Sequence, residues 1–218
     1  MRELNSYIEH TLLKQDATTE DLNKLYKEAK EHNFRGVCVN PCYVKQAKEA
    51  LKDTNVKVVT VIGFPLGANK SEVKAFEASV AKADGADEID MVINVTAIKD
   101  KNYDYVVEDI KAVKIAGGDL PLKVILETDL LTKDEIKTAC ELAIKAGANF
   151  VKTSTGFVKN GVGAKAEDVK LMYDTVTPHG LKVKASGGIR DKEAALKMIE
   201  AGAYSLGTSS GVKIEKES

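Results

Sequence analysis

The residues best suited to covalent chemistry lie in the stretch Asn149-Phe-Val-Lys-Thr-Ser-Thr-Gly156. A lone lysine, Lys152, sits in a short apolar strand pattern. Three hydroxyl residues and a glycine follow, the composition of a turn that presents backbone N–H groups. A strand launched from Ala146-Gly147-Ala148 enters a core sheet. Burying an ammonium there is costly, so Lys152 is either a reagent or a rim residue whose amine reaches water. Strand alternation supplies companions for it. Along 88–94, Ile89, Met91 and Ile93 share one face, and Glu88, Asp90, Val92 and Asn94 the other. Along 181–186, Val183 and Ala185 oppose Lys182, Lys184 and Ser186, and along 150–153 Val151 opposes Phe150 and Lys152. Along 122–127, Lys123, Ile125 and Glu127 fall on the interior side. With the apolar sets packed on helices, Asp90, Lys152 and Lys184 face one interior.

Two ammonium groups on adjacent strands, about 4.8 Å apart, approach to about 6 Å. At an effective dielectric near 20 their repulsion is about 2.8 kcal/mol, or roughly two pKa units. Added to desolvation, this brings one lysine toward neutrality, where its free amine attacks carbonyl carbon. Asp90 is then placed to move protons on the carbon beside the imine, directly or through water. Spacing leaves open which lysine is the nucleophile. The structural alternative is a buried ion-pair network that holds the strands in register.

The elements that position these groups alternate regularly. Strand patterns fall near 7–11, 34–39, 56–62, 88–93, 122–127, 150–153, 181–186 and 203–207, with amphipathic helical patterns between them. Helix starts are marked by Thr18, Asn40-Pro41, Ser71, Thr132 and Asp191. Ala83-Asp-Gly-Ala86, Lys145-Ala-Gly-Ala148 and Glu200-Ala-Gly-Ala203 repeat one helix-to-strand signal. Eight such units predict an α/β fold, a (β/α)8 TIM barrel formed as one domain over residues 1–218. A doubly wound sheet would want a glycine-rich dinucleotide loop after its first strand, and none is present.

Composition narrows the function further. The formal net charge is −1, with 32 basic and 33 acidic residues interspersed, so no nucleic-acid or membrane-surface footprint is expected. The start, Met1-Arg-Glu-Leu-Asn-Ser6, lacks the apolar run of a signal peptide, and no stretch suits a membrane span. Three cysteines, Cys38, Cys42 and Cys140, read as reduced thiols in a cytoplasmic protein. Three scattered histidines without ligand spacing predict no metal. Active sites in this architecture lie at the C-terminal ends of the strands. There, Ser186-Gly187-Gly188 follows the seventh strand and Gly207-Thr-Ser-Ser-Gly211 the eighth, with Gly156 beside them. Close backbone approach and free N–H groups suit a phosphate, so a small phosphorylated carbonyl compound is the expected substrate.

Val151-Lys-Thr-Ser-Thr-Gly156, Glu88-Ile-Asp-Met-Val-Ile-Asn94 and Val183-Lys-Ala-Ser-Gly-Gly-Ile-Arg190 together resemble the deoxyribose-phosphate aldolase family. The likeness extends to Glu9-His-Thr-Leu-Leu-Lys14, Val37-Cys-Val-Asn-Pro41, Gly63-Phe-Pro-Leu-Gly67 and Leu206-Gly-Thr-Ser-Ser-Gly211, nearly the whole chain. It implies a class I aldolase without metal or other cofactor. Such an enzyme reversibly splits 2-deoxy-D-ribose 5-phosphate into acetaldehyde and D-glyceraldehyde 3-phosphate. Under that resemblance Lys152 is the Schiff-base lysine, Lys184 the lysine that lowers its pKa, and Asp90 the proton-transfer aspartate. Gly187, Gly188, Ser209 and Ser210 match the phosphate loops, with Gly156 nearby, and Cys38 matches a thiol near the pocket wall.

Two departures accompany the likeness. Glu9 replaces the aspartate of an Ile-Asp-His-Thr segment, so a carboxylate reaching toward Lys184 has one more methylene to accommodate. Some members end in a tyrosine tail, whereas this chain ends Ile214-Glu-Lys-Glu-Ser218, so that contribution to proton transfer is expected to be missing or replaced by solvent. A homodimer or higher homo-oligomer is expected. Competing readings are another Schiff-base aldolase, a phosphosugar isomerase or epimerase using Asp90 as base, and a non-catalytic phosphosugar-binding barrel.

Overall fold

A computed structural model describes residues 2–217, so Ser218 of the C-terminal segment lies outside it. Eight strands run in chain order: β1 (Ile8–Leu12), β2 (Gly36–Val39), β3 (Lys57–Ile62), β4 (Glu88–Val92), β5 (Leu122–Ile125), β6 (Phe150–Lys152), β7 (Lys182–Ser186) and β8 (Ser205–Thr208). Each pairs in parallel with the next, and β8 pairs with β1, closing the barrel. Helices α1 (Thr19–Glu31), α2 (Val44–Leu51) and α3 (Ser71–Ala83) follow the first three strands. Then come α4 (Val95–Lys99), α5 (Tyr103–Gly117), α6 (Lys133–Lys145), α7 (Ala166–Val176), α8 (Lys192–Glu200) and α9 (Gly211–Lys216). Among the described residues no helix is long and apolar enough to cross a membrane.

Local chemistry explains these boundaries. Thr18 and Thr132 form reciprocal capping boxes with Asp21 and Glu135, while Asn94 and Asp191 cap α4 and α8 through their side chains. The repeated helix-to-strand signal has one backbone solution at all three sites. Gly85, Gly147 and Gly202 take φ of 97°, 80° and 108°. Each following alanine N–H (Ala86, Ala148, Ala203) donates to a carbonyl five residues back. This closure uses the last free carbonyls of the helix and turns the chain into the next strand.

Val58, Ile89, Met91, Val124, Val151, Val183 and Leu206 point outward and pack with the helices in the main core. A smaller cluster of Leu13, Cys38, Val59 and Val61, with Phe64 against it, lies on the opposite face of its strands. Several details differ from the sequence reading. The segment after Asn40 begins as a 3-10 turn, Pro41–Tyr43, before α2. α4 and α9, five and six residues long, are too short for a helical period to be visible. β5 ends at Ile125, and Glu127 takes a left-handed backbone with φ 60°.

Candidate active site

The short strand β6 delivers Lys152 to the base of a pocket of about 320 Å³ at the C-terminal ends of the strands. This volume lies at the lower end of the range for small-molecule sites. In register, Lys152 pairs with Ile125 on one side and Lys184 on the other, so both lysines point inward at one level. Two hydroxyls lock β6 to β7. Thr153 Oγ1 donates to the Ser186 carbonyl at 2.9 Å and accepts the Ser186 N–H, and Ser186 Oγ donates to the Ser154 carbonyl. The Lys152 strand therefore cannot slide relative to the Lys184 strand.

Asp90 lies beneath, fully buried. Its Oδ2 accepts from Lys152 Nζ at 2.9 Å and from Lys184 Nζ at 2.7 Å, and its Oδ1 accepts from Lys123 Nζ at 2.7 Å. Because both amines touch one oxygen, Lys152 and Lys184 stand within about 6 Å of each other. Lys184 also donates to Glu9. A Cβ at Gly207 would lie 3.1 Å from Lys184 Cε, so the missing side chain gives that lysine its room.

The electrostatics divide the roles. Burial pulls Lys184 down, but Asp90 and Glu9 outweigh it and hold its ammonium above the ordinary lysine range. Burial pushes Asp90 up, but Lys123, Lys152 and Lys184 outweigh it and hold the carboxylate well below its usual range. Glu9 is likewise pushed up by burial and brought down to about 2 by Lys123, Lys184 and Arg35. Lys184 is thus a fixed cation and Asp90 a fixed anion. Cys38 is buried, and burial raises its thiol above the usual range.

The pocket wall beyond Lys152 comes from the loops after β1, β6, β7 and β8. Gly156, Gly187, Gly188 and Ser209 line it, and Lys14 and Arg190 bring positive charge to the same space. Gly187 and Gly188 take φ of 86° and 74°. A Cβ at Gly188 would sit 2.4 Å from the Val162 carbonyl oxygen, and one at Gly163 would sit 2.4 Å from Gly187 backbone. These loops are pressed together at a spacing only glycine permits. Ser210 does not line the pocket; it precedes α9, and its N–H donates to Thr208 Oγ1.

Three side chains, two buried and the third (Arg35) 12% exposed, enlarge the site beyond the sequence reading's central trio. Lys123 and Glu88 follow from strand parity. Arg35 does not, because it precedes β2 and reaches under the barrel to Glu9 and Glu88 at 2.7 and 2.6 Å. The sequence reading ran this strand over 34–39 and so included Arg35 in it, whereas β2 starts at Gly36. Glu127 does not extend β5 inward. Its carboxylate accepts the Thr155 N–H at 3.0 Å and the Thr155 hydroxyl, tying the β5 loop to the β6 loop. Among the described residues no cluster of three histidine, cysteine or acidic side chains has metal-binding geometry.

A (β/α)8 barrel with a lysine amine beside a second buried lysine, at the mouth where its strands end, has the arrangement that a lysine-dependent aldolase requires. The chain belongs to the DeoC/LacD family of aldolases, whose family model matches residues 6–215. Among curated relatives, it is 57% identical to the deoxyribose-phosphate aldolase of Finegoldia magna, covering 97% of this chain and 98% of that protein. It is 59% identical to that of Clostridium kluyveri, covering 98% and 97%. Among solved structures, the tetrameric deoxyribose phosphate aldolase of Aeropyrum pernix superposes with a TM-score of 0.89 at 35% identity, covering 98% of this chain and 90% of that one. An aldolase designated QR15 gives a TM-score of 0.93 at 45% identity, covering 100% and 96%.

Proposed function

We propose that this chain cleaves 2-deoxy-D-ribose 5-phosphate reversibly to acetaldehyde and D-glyceraldehyde 3-phosphate, through a Schiff base on Lys152. The observation that carries the reading is one carboxylate oxygen, Asp90 Oδ2, shared by Lys152 at the pocket base and by a permanently charged Lys184. The free Lys152 amine adds to the sugar aldehyde, and the carbonyl oxygen leaves as water. The C3 hydroxyl then loses its proton, and the C2–C3 bonding electrons move into the iminium. Glyceraldehyde 3-phosphate departs, leaving an enamine on Lys152. The enamine takes a proton at C2, and water releases acetaldehyde. Asp90 and Lys184 hold the site's charge constant and orient the proton-carrying water through these steps. Incubation with acetaldehyde and borohydride tests the reading. One ethyl group should appear on Lys152, and an isomerase or a simple binding barrel would gain none.

The phosphate is assigned to Gly187, Gly188 and Ser209, with Gly156 beside them; Ser210, which the resemblance also implied, does not line the pocket and is left out. The narrow glycine loops and the charge of Lys14 and Arg190 support this. Gly188→Ala forces the loop off Val162 and strains a φ of 74°. Its KM for the phosphorylated sugar should rise about 10-fold or more, the worth of one hydrogen bond to a charged group. An unchanged KM would remove this loop from the phosphate site.

A homo-oligomer is also proposed. Leu66, Val73, Phe76 and Val80 form an apolar row on and beside α3, with Phe76 71% exposed. Sedimentation should show a multiple of the 23.6 kDa chain, reduced to one chain by Phe76→Asp. A mass unchanged by Phe76→Asp would exclude this face. A cytoplasmic location accords with three unpaired thiols and is checked by cell fractionation.

A further inference from the structure

The loops after β5 and β6 meet behind the glycines of the β7 loop, and two carboxylates of the β5 loop hold the meeting point. Glu127 accepts the Thr155 N–H at 3.0 Å and the Thr155 hydroxyl, just before the glycine-rich segment 156–163. Asp129 Oδ2 accepts the Gly163 N–H at 2.7 Å, at the end of that segment. Between these points the chain folds tightly. The Gly161 N–H donates to the Val158 carbonyl at 2.9 Å, and a Cβ at Gly161 would lie 2.7 Å from Asp129 Oδ2. The segment then presses on the β7 loop: the Ala164 N–H donates to the Gly187 carbonyl at 3.0 Å, and no side chain fits at Gly163 or Gly188.

Neither carboxylate lines the main pocket. Both border a smaller cavity of about 100 Å³, and Gly156, Gly187 and Gly188 are the wall that the two spaces share. Glu127 is 4% exposed, and the Asp129 side chain 9%. Glu127 also holds a left-handed backbone that most side chains avoid. A buried acid on such a backbone is an unfavourable way to end a strand, and its visible result is a carboxylate aimed at Thr155. We propose that Glu127 and Asp129 are positioning residues for the substrate phosphate. By fastening both ends of segment 156–163 they set how closely the Gly187 and Gly188 backbone approaches the anion. This rests on the assignment of the phosphate to those glycines.

A cradle of backbone N–H groups binds an anion only when those groups converge on it. Releasing Thr155 or Gly163 lets the segment move off Gly187 and spreads them. The amine end of the pocket is held by other bonds, those of Thr153 and Ser186 between β6 and β7, so it stays in place. The two carboxylates act through hydrogen bonds to the backbone. Gln and Asn, which keep an acceptor oxygen, should therefore serve nearly as well. The charge of Asp129 is met only by Lys165, 3.6 Å away and half exposed, a pair of little weight.

The test sets Asp129→Ala against Asp129→Asn, and Glu127→Ala against Glu127→Gln. Each is assayed on 2-deoxy-D-ribose 5-phosphate, on unphosphorylated 2-deoxy-D-ribose, and with inorganic phosphate as inhibitor, per folded chain. In the alanine variants KM for the phosphorylated sugar and the inhibition constant of phosphate should rise together by about 10-fold, the worth of one hydrogen bond to a charged group. Their kcat, and their turnover of the unphosphorylated sugar, should stay within about twofold of the parent, and the Asn and Gln variants should match the parent throughout. A merely structural role would lower turnover of both sugars alike and leave the two constants unmoved, which overturns the proposal. If the alanine variants do not fold, Gly161→Ala, whose Cβ pushes Asp129 off Gly163, must raise the same two constants. A parent that neither prefers the phosphorylated sugar nor is inhibited by phosphate removes the phosphate assignment, and the positioning role with it. A parent that does both, matched by its alanine variants, removes the positioning role alone.

Discussion

Lys152→Met should take up no ethyl group from acetaldehyde and borohydride, and its aldol cleavage rate should fall by at least about 10⁴-fold. The size of the effect follows from the surroundings. The two other lysines within the barrel, Lys123 and Lys184, are fully buried and bound to carboxylates, so neither can reach into the pocket as a substitute. The fold should survive the change, because Lys152 hangs from the buried ion pairs by one contact and methionine fills the same path. A variant that still formed an adduct at a barrel lysine, or kept activity within tenfold, would dismiss Lys152 as the nucleophile.

Lys184→Met has two expected consequences of different origin. Activity at neutral pH should drop about 10²- to 10³-fold, because the cation sharing Asp90 Oδ2 with Lys152 is gone and the site loses the charge that complements its anions. Stability should fall as well, by about 3 kcal/mol, since Asp90 and Glu9 both lose a buried partner. Lys123 and Arg35 still face those carboxylates and limit the damage. The two effects are read separately, as cleavage rate and as thermal midpoint. The loss of activity should persist at temperatures where the variant is fully folded. Activity within a few fold of the parent in the folded variant would remove Lys184 from the chemistry.

The alternatives posed by the charged strands, catalytic lysine or buried ion-pair network, coexist in the structure. Lys123, Lys184, Asp90, Glu9, Glu88 and Arg35 form the network, and Lys152 is the member that opens into the pocket. Period-two alternation was enough to turn Asp90, Lys152 and Lys184 to one side, because each lies in a strand whose other face is uniformly apolar. It also turned Lys123 and Glu88 inward. It could not follow Glu127, whose left-handed backbone breaks the alternation at the end of β5. Nor could it foresee Arg35, read from sequence as part of a strand over 34–39; β2 starts at Gly36, and the freed side chain spans from β1 to β4.

From the chain alone came the number of βα units, the caps and glycine closures that bound them, and the side to which each strand residue points. All of these depend on neighbours a few residues apart, where backbone geometry repeats. Which charges touch was settled only by closure of the barrel. Lys184 meets Glu9 across 175 positions of sequence and Asp90 across 94, contacts that exist because β8 returns to β1. No local pattern encodes such a distance, and the charge balance around the amine is a property of the closed ring of strands.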